Sequence, residues 1–209
     1  MGSGDAALLA LVRAVVAGDN EATSALLAAS PHSAVASLER GATRQAATQS
    51  YFVEINHYLY AGDTALHIAA AGYRPDLVRA LLALGADVTA RNRRGAQPLH
   101  YASDGAPGSR AWNPKAQAET ISCLIDAGAD PNAGDKSGVT PLHRAIRTRC
   151  AAAVRALLDG GADAQRPNGN GSTPVQLASW TTGRGGSGSP EARAQQLEIV
   201  QLLQSHGAE

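Results

Sequence analysis

Three histidines are the residues best suited to metal chemistry, because imidazole is a common zinc ligand. His67, His100 and His143 each follow a leucine in a similar short segment, at intervals of 33 and 43 residues. Histidines at one position of successive packed helices lie about 8–10 Å apart, too far to share an ion through bonds of about 2 Å. We therefore expect them to be structural. A single Glu54–His57 pair at helical spacing does not make a metal site either, so no metal is predicted.

A second group of residues could bind phosphate or another small anion. Residues 183–188 match the Gly-x-Gly-x-x-Gly spacing of nucleotide-binding loops, but that fingerprint requires a preceding strand, and here it follows a predicted helix. We interpret this segment as a flexible loop. The residues that could still line an Arg-rich pocket for a small anion or small molecule, or serve an unrecognised enzyme, are Arg147, Arg149, Arg184, Asp104 and His57. The sequence holds no nucleophile or Walker pattern, so we predict no catalysis and no cofactor.

The two cysteines, Cys123 and Cys150, are too few for a disulfide framework. Cys123 falls at a core position and is expected to be a small buried side chain. Cys150 follows Arg149, which makes it a candidate for a lowered pKa, although no base is evident nearby.

The elements that must position these residues repeat along the chain. A segment that begins with glycine and centres on Leu-His, or on Val-Gln in the last copy, occurs at residues 62–69, 95–102, 138–145 and 171–178. The intervals between copies are 33, 43 and 33 residues, so the period is 33 with ten residues inserted once. A Gly-Ala-Asp or Gly-Ala-Glu segment confirms the phase at residues 85–87, 128–130, 161–163 and 207–209.

Each repeat predicts two helices. Thr140-Pro141 and Thr173-Pro174 place a hydroxyl N-cap before a proline at the first helical position, so a helix begins there. Apolar residues at i, i+3 and i+4 spacing then predict a second, core-facing helix, which the glycine of Gly-Ala-Asp ends. Because such a pair cannot bury its apolar face alone, neighbouring repeats must stack.

With this period and its Thr-Pro-Leu-His segments, the chain resembles the ankyrin-repeat family. The resemblance implies an all-α solenoid of helix-turn-helix units with finger loops, in one domain over residues 5–209. We place the five repeats at about 5–33, 62–94, 95–137, 138–170 and 171–209, after a flexible start at residues 1–4. It also implies that the repeated histidine hydrogen-bonds between repeats, with Gln176 replacing it in the last copy. The implied function is recognition, in which a concave face and finger tips bind a protein partner without catalysis.

Three insertions interrupt the repeats, at about residues 34–61, 105–115 and 181–194. Loops on a rigid scaffold often carry binding residues, and the last two insertions both leave the end of a first helix. We expect them to flank an arginine-bearing ledge, where Arg149 stands at a position at which a helix-ending glycine would be usual, and to form one groove. Its predicted partner-binding residues are Trp112, Arg110, Arg147, Arg149, Trp180, Arg184 and Asp104. The alternative is that each tryptophan folds back over its own loop.

The first insertion contains an aromatic run at residues 51–60. The run alternates well enough for a β-finger but could equally continue as a helix, and Ser33–Arg44 could form an extra helix. One interpretation is a lid over the degenerate first repeat. The other makes Tyr58, Tyr60 and Tyr73 one wall of a binding surface. Self-association through this run is a further alternative to the expected monomer.

Composition limits the partners. Lys+Arg and Asp+Glu both number 18, so the zero net charge argues against a general nucleic-acid binder. The basic tip at Arg91–Arg94 is expected to be solvated. We expect no membrane association and a cytoplasmic location, because neither a signal peptide nor a membrane span is evident. Many alanines and arginines with two lysines suggest a bacterial source.

Overall fold

The computed structural model describes residues 3–43, 50–105, 107, 112–180 and 190–208. Over these residues the chain forms five successive helical pairs. The pairs are α1 (Ser3–Ala17) with α2 (Asn20–Ala29), α3 (Ala65–Ala71) with α4 (Pro75–Ala83), α5 (Pro98–Ser103) with α6 (Pro114–Asp126), α7 (Pro141–Arg147) with α8 (Ala151–Asp159), and α9 (Pro174–Ser179) with α10 (Pro190–Ser205). The predicted all-α repeat architecture is confirmed, and the first helix begins at Ser3, inside the expected flexible start.

The helices form two layers. The inner helices α1, α3, α5, α7 and α9 pack one against the next, and the outer helices α4, α6, α8 and α10 do the same. Leucines and alanines fill the space between the layers, with Leu66, Leu99 and Leu142 of the inner helices at most 1% exposed. Burial of each leucine side chain contributes about 2 kcal/mol. Because these side chains are small, the inner and outer layers can approach closely.

The predicted helix boundaries are confirmed. The Thr140 and Thr173 side chains accept hydrogen bonds from the backbone at the third helical position of α7 and α9, and prolines occupy the first turns. Gly85 and Gly161 follow the last residues of α4 and α8 with φ of 86° and 91°. Glycine is favoured there because a Cβ is strained in left-handed backbone.

His67 and His100 hydrogen-bond between repeats, as the resemblance implies. The His67 Nδ1 accepts from the Thr64 backbone at 3.2 Å, and its Nε2 donates to the Ala96 carbonyl of the next repeat at 3.2 Å. His100 bonds to Val139 in the same way at 3.0 Å. Among the described residues no group of histidines, cysteines and carboxylates could hold a metal ion.

The tips between repeats are joined by backbone hydrogen bonds that all run in one direction. The Arg93 N–H donates to the Ala61 carbonyl at 2.8 Å, Lys136 to Arg94 at 3.0 Å, and Gly169 to Ser137 at 3.0 Å. Each donor lies in a later tip than its acceptor. This ladder fixes the spacing of successive repeats along the inner face.

The first insertion forms a β-finger. Strands β1 (Tyr51–Phe52) and β2 (His57–Tyr58) pair antiparallel, with Tyr51 opposite Tyr58. The predicted helix over 33–44 is wrong: a 3-10 turn at Pro31–Ala34 is followed by extended chain, in which Leu38 donates to Asp63 at 2.8 Å. Backbone pairing with the start of the second repeat competes with helix formation there.

The finger packs away from the first repeat. Its Ile55 side chain lies against Gly72, and its His57 ring lies against Tyr101, so any lid it forms covers the second and third repeats. Glu54 lies in the turn between the strands, so it shares no helix face with His57. The Arg93 side chain donates to the Ala42 carbonyl, which ties the basic tip to the insertion.

Candidate functional site

A groove of about 830 Å³ lies over α5 and α7, beside the β-finger. The β-finger forms one wall, α5 and α7 form the floor, and the start of the second insertion with the later tips forms the opposite side. We call this the inner groove. Its lining includes Tyr51, His57, Tyr58, Tyr60, Arg94, Tyr101, Asp104, Asp135, Arg144, Arg147 and Asn170.

Arg144 is the charged centre of the floor. It projects from α7, is only 14% exposed, and donates to the carboxylates of Asp104 at 2.8 Å and Asp135 at 3.2 Å. Burial by itself would raise the pKa of Asp104, but Arg144 and then His57 outweigh it and hold this pKa well below its usual range. Asp104 is therefore ionised at neutral pH, and it shares the Arg144 guanidinium with Asp135.

A buried carboxylate lies beneath the finger. Asp63 is fully buried, accepts from the Tyr101 hydroxyl at 2.8 Å and from Asn92 at 2.9 Å, and also accepts from the Tyr60 backbone at 2.6 Å. Burial, then the Asp63 charge, raises the pKa of Tyr101 well above its normal value. Because these hydrogen bonds join the finger to two repeats, the floor is rigid where α5 meets the finger.

His57 links the finger to the floor. Its ring stacks on Tyr101 with centroids 4.0 Å apart, and its Nε2 lies 3.5 Å from an Asp104 carboxylate oxygen. The Tyr73 hydroxyl donates to the Asp104 carbonyl, and burial raises the pKa of that hydroxyl. Asp104 is thus held by the finger through His57 and by the second repeat through Tyr73.

Other groove residues are available to a ligand. Tyr51 and Tyr58 are each 38% exposed, and their rings lie 4.8 Å apart across the finger. Arg147 is exposed and makes no ion pair or hydrogen bond within the described part of the chain. Arg94 lies over the Tyr60 ring at 5.2 Å and donates to its hydroxyl at 3.1 Å. Aromatic faces and free guanidinium groups are common in protein-binding sites.

Comparison with known families decides the relationship. The family model described as ankyrin repeats (many copies) matches residues 51–102 and 124–178, just over half of the chain. The chain is an ankyrin-repeat protein. Ankyrin repeats generally mediate protein–protein interaction and are typically non-catalytic. No curated protein matches this ankyrin chain, and no helix in its described part is long and apolar enough to cross a bilayer.

Five of the predicted partner-binding residues lie at or beside the inner groove of this ankyrin stack, as does His57 of the predicted anion pocket. Asp104, Arg147, Tyr58 and Tyr60 line it, and Tyr73 lies behind Asp104. They come together because the finger folds back over α5. Arg110 and Arg184 lie outside the described residues, as do the rest of 108–111, residue 106 and the rest of 181–189 in the later insertions.

The remaining predicted residues lie elsewhere. Trp112 is half-buried beside α6, donates to Gln117 at 2.8 Å, and faces a second groove on the outer helices. Trp180 is 52% exposed and ends α9, where its carbonyl accepts from Arg149 at 2.9 Å. Neither tryptophan lines the inner groove. The inner groove therefore differs from the expected one, which had both tryptophans and Arg149 on one ledge.

Arg149 is buried, not exposed on a ledge as the sequence predicted. Its φ of 57° places it in left-handed backbone after α7, as the sequence position of a helix-ending glycine suggested. The guanidinium donates to Gln196 at 2.6 Å and so fastens α10 to the fourth repeat. It is therefore unsuited to ligand binding.

The two roles of Arg149 can be separated by substitution. Arg149→Ala removes the guanidinium and keeps the strained backbone, whereas Arg149→Gly removes both. We expect the alanine variant to be less stable than the glycine variant by about 1 kcal/mol in urea unfolding. Arg147→Ala, in the preceding turn, is the control and should leave stability unchanged. Equal stability of the two Arg149 variants would contradict the assignment of strain.

Sequence reasoning missed the residues of the floor. Tyr101 and Arg144 both follow the repeated histidine, at positions that are Ile68 and Leu177 in other copies. A polar side chain at a repeat position that is apolar in the other copies could have marked these two residues as functional candidates. Asp63 gave a similar signal, because the matching residues in later copies are alanine, valine and serine.

The cysteine predictions are both wrong in part. Cys123 is only half-buried, because its helix face lies at the edge of the core. Cys150 is buried, and burial raises its pKa to about 12 instead of lowering it. The guanidinium of the adjacent Arg149 bonds to Gln196, so it does not stabilise a thiolate.

Proposed function

We propose that this ankyrin-repeat protein binds a segment of a partner protein in the inner groove, without catalysing a reaction on it. The exposed pair Tyr51 and Tyr58 above the rigid floor is the observation that supports this most. Tyrosines offer large contact area with few rotatable bonds, so they lose little entropy on binding. A floor held by buried hydrogen bonds also keeps the cost of reorganisation low.

The groove between the later insertions, which the sequence predicted as the binding site, is a weaker candidate than the inner groove. Arg149 is engaged with Gln196, and Trp112 with Gln117, so neither side chain is free. The alternative of a small-anion or small-molecule pocket around the fourth repeat retains only Arg147 among its described arginines, since Arg149 is committed. A single exposed guanidinium favours a larger ligand that also contacts the finger.

Capture of proteins from a cell extract tests the proposal. Wild-type protein and the outer-face control Arg155→Ala should retain the same partner, whereas Tyr58→Ala/Arg147→Glu should lose it because both groove contacts are altered. Circular dichroism checks that all three proteins are folded. Identical capture by all three would refute binding in the inner groove. Thermal stabilisation by millimolar sodium phosphate that Arg147→Ala abolishes would instead favour the small-anion alternative.

A further inference from the structure

We infer that the inner groove selects an extended peptide segment carrying carboxylate side chains. This inference rests on the proposed function and adds the chemistry of the partner. It follows from which charged groups of the groove are already paired and which are free.

The acidic groups of the groove are already hydrogen-bonded within the protein. Asp104 and Asp135 both accept hydrogen bonds from Arg144, and His57 adds a second contact to Asp104. A ligand cation beside either carboxylate would also lie beside the Arg144 guanidinium, whose positive charge repels it. Basic peptides are therefore poorly matched to this surface.

The basic groups are only partly used. Arg147 is exposed at the end of α7, where the described residues offer it no partner. Within the described residues, the Arg94 guanidinium contacts the ring and hydroxyl of Tyr60, which orient it but supply no negative charge. A guanidinium can hold a carboxylate through two parallel hydrogen bonds. The described lining holds three arginines, the third being Arg144, against the two carboxylates, so the net charge of the groove is positive although the chain as a whole is neutral.

The surroundings of these arginines suit an extended backbone. Arg94 and Arg147 lie in different repeats, and both line the same groove as the exposed rings of Tyr51 and Tyr58. Asn170 and Ser137, at later tips, are exposed and add polar groups along the same side. A peptide with acidic residues for the arginines and an apolar residue for the tyrosines fits this arrangement.

Selection from a phage library of random twelve-residue peptides tests the inference. Peptides retained by the wild type should contain at least about twice the library frequency of Asp and Glu, and Arg94→Gln/Arg147→Gln should remove this enrichment. In fluorescence anisotropy, the most enriched peptide should bind each single variant about tenfold more weakly. Changing its Asp and Glu to Asn and Gln should weaken binding similarly, and added salt should weaken binding of the original peptide.

Arg155→Gln, on the outer face, is the matched control and should bind as the wild type does. Peptides that need Tyr58 but show no acidic enrichment would overturn the inference and leave the proposed function intact. Peptides that bind equally to the wild type and to Tyr58→Ala/Arg147→Glu, or failure to select any peptide, would overturn both. Urea unfolding of the glutamine variants, expected to match the wild type, shows that lost binding is not lost folding.

Discussion

Replacement of Arg144 with methionine is expected to destabilise the protein by about 3 kcal/mol at neutral pH. Methionine keeps most of the side-chain volume but removes the guanidinium that Asp104 and Asp135 share. In the wild type its nitrogens lie 2.8 Å from an Asp104 oxygen and 3.2 Å from an Asp135 oxygen. Two carboxylates would then face each other at the groove floor without compensation. Urea unfolding followed by circular dichroism measures the loss.

A double-mutant cycle separates charge from packing. If the uncompensated carboxylate causes the loss, Asp104→Asn should cost much less in the Arg144→Met background than in the wild type. Arg79→Met is the control: Arg79 pairs with Asp76 and Glu119 on an exposed helix face, so its loss should change stability little. Additive effects of Arg144→Met and Asp104→Asn would contradict the bridging role.

Acidification from pH 7 to pH 5 is expected to cost about 2 kcal/mol of stability through His100 alone. Burial lowers the pKa of this imidazole from 6.5 to about 3. Between these values the unfolded chain binds a proton that the folded chain excludes, so stability falls as the pH falls through this window. Burial lowers the pKa of His67 and His143 as well, which adds in the same direction. The depressed pKa of Asp104 adds its own loss only below about pH 4.

His100→Gln isolates this effect. The variant should be less stable at pH 7, because it alters the bond to Val139, but its loss between pH 7 and pH 5 should be smaller by about 2 kcal/mol. His32→Gln, at an exposed site, is the matched control for removal of a histidine. Parallel pH curves for His100→Gln and wild type would exclude His100 as a source of acid sensitivity.

The repeating part of the fold was predictable because its signals are local. Thr140 and Pro141 fix where α7 begins through a hydrogen bond and a preset φ, and Gly161 fixes where α8 ends. These effects act within one or two turns, so a short segment carries them. The fixed period then determines how the units stack.

The groove was less predictable because its contacts join distant residues. His57 meets Asp104 across 47 positions only because the finger folds back over α5. Sequence cannot give the direction of a loop whose own residues form few contacts. The Arg149 side chain illustrates this limit: its left-handed backbone was foreseeable, but its burial depends on Gln196 in α10.

The one-way ladder of tips has an evolutionary consequence. In each of the three tips, a carbonyl at the same repeat position accepts a hydrogen bond from the following tip. These carbonyls belong to Ala61, Arg94 and Ser137. A duplicated stretch of gene encoding one complete unit would therefore dock on both sides without new chemistry. Duplication of whole units would therefore lengthen the binding surface without new contacts between units. Duplication of part of a unit would leave donors and acceptors of the tips out of register.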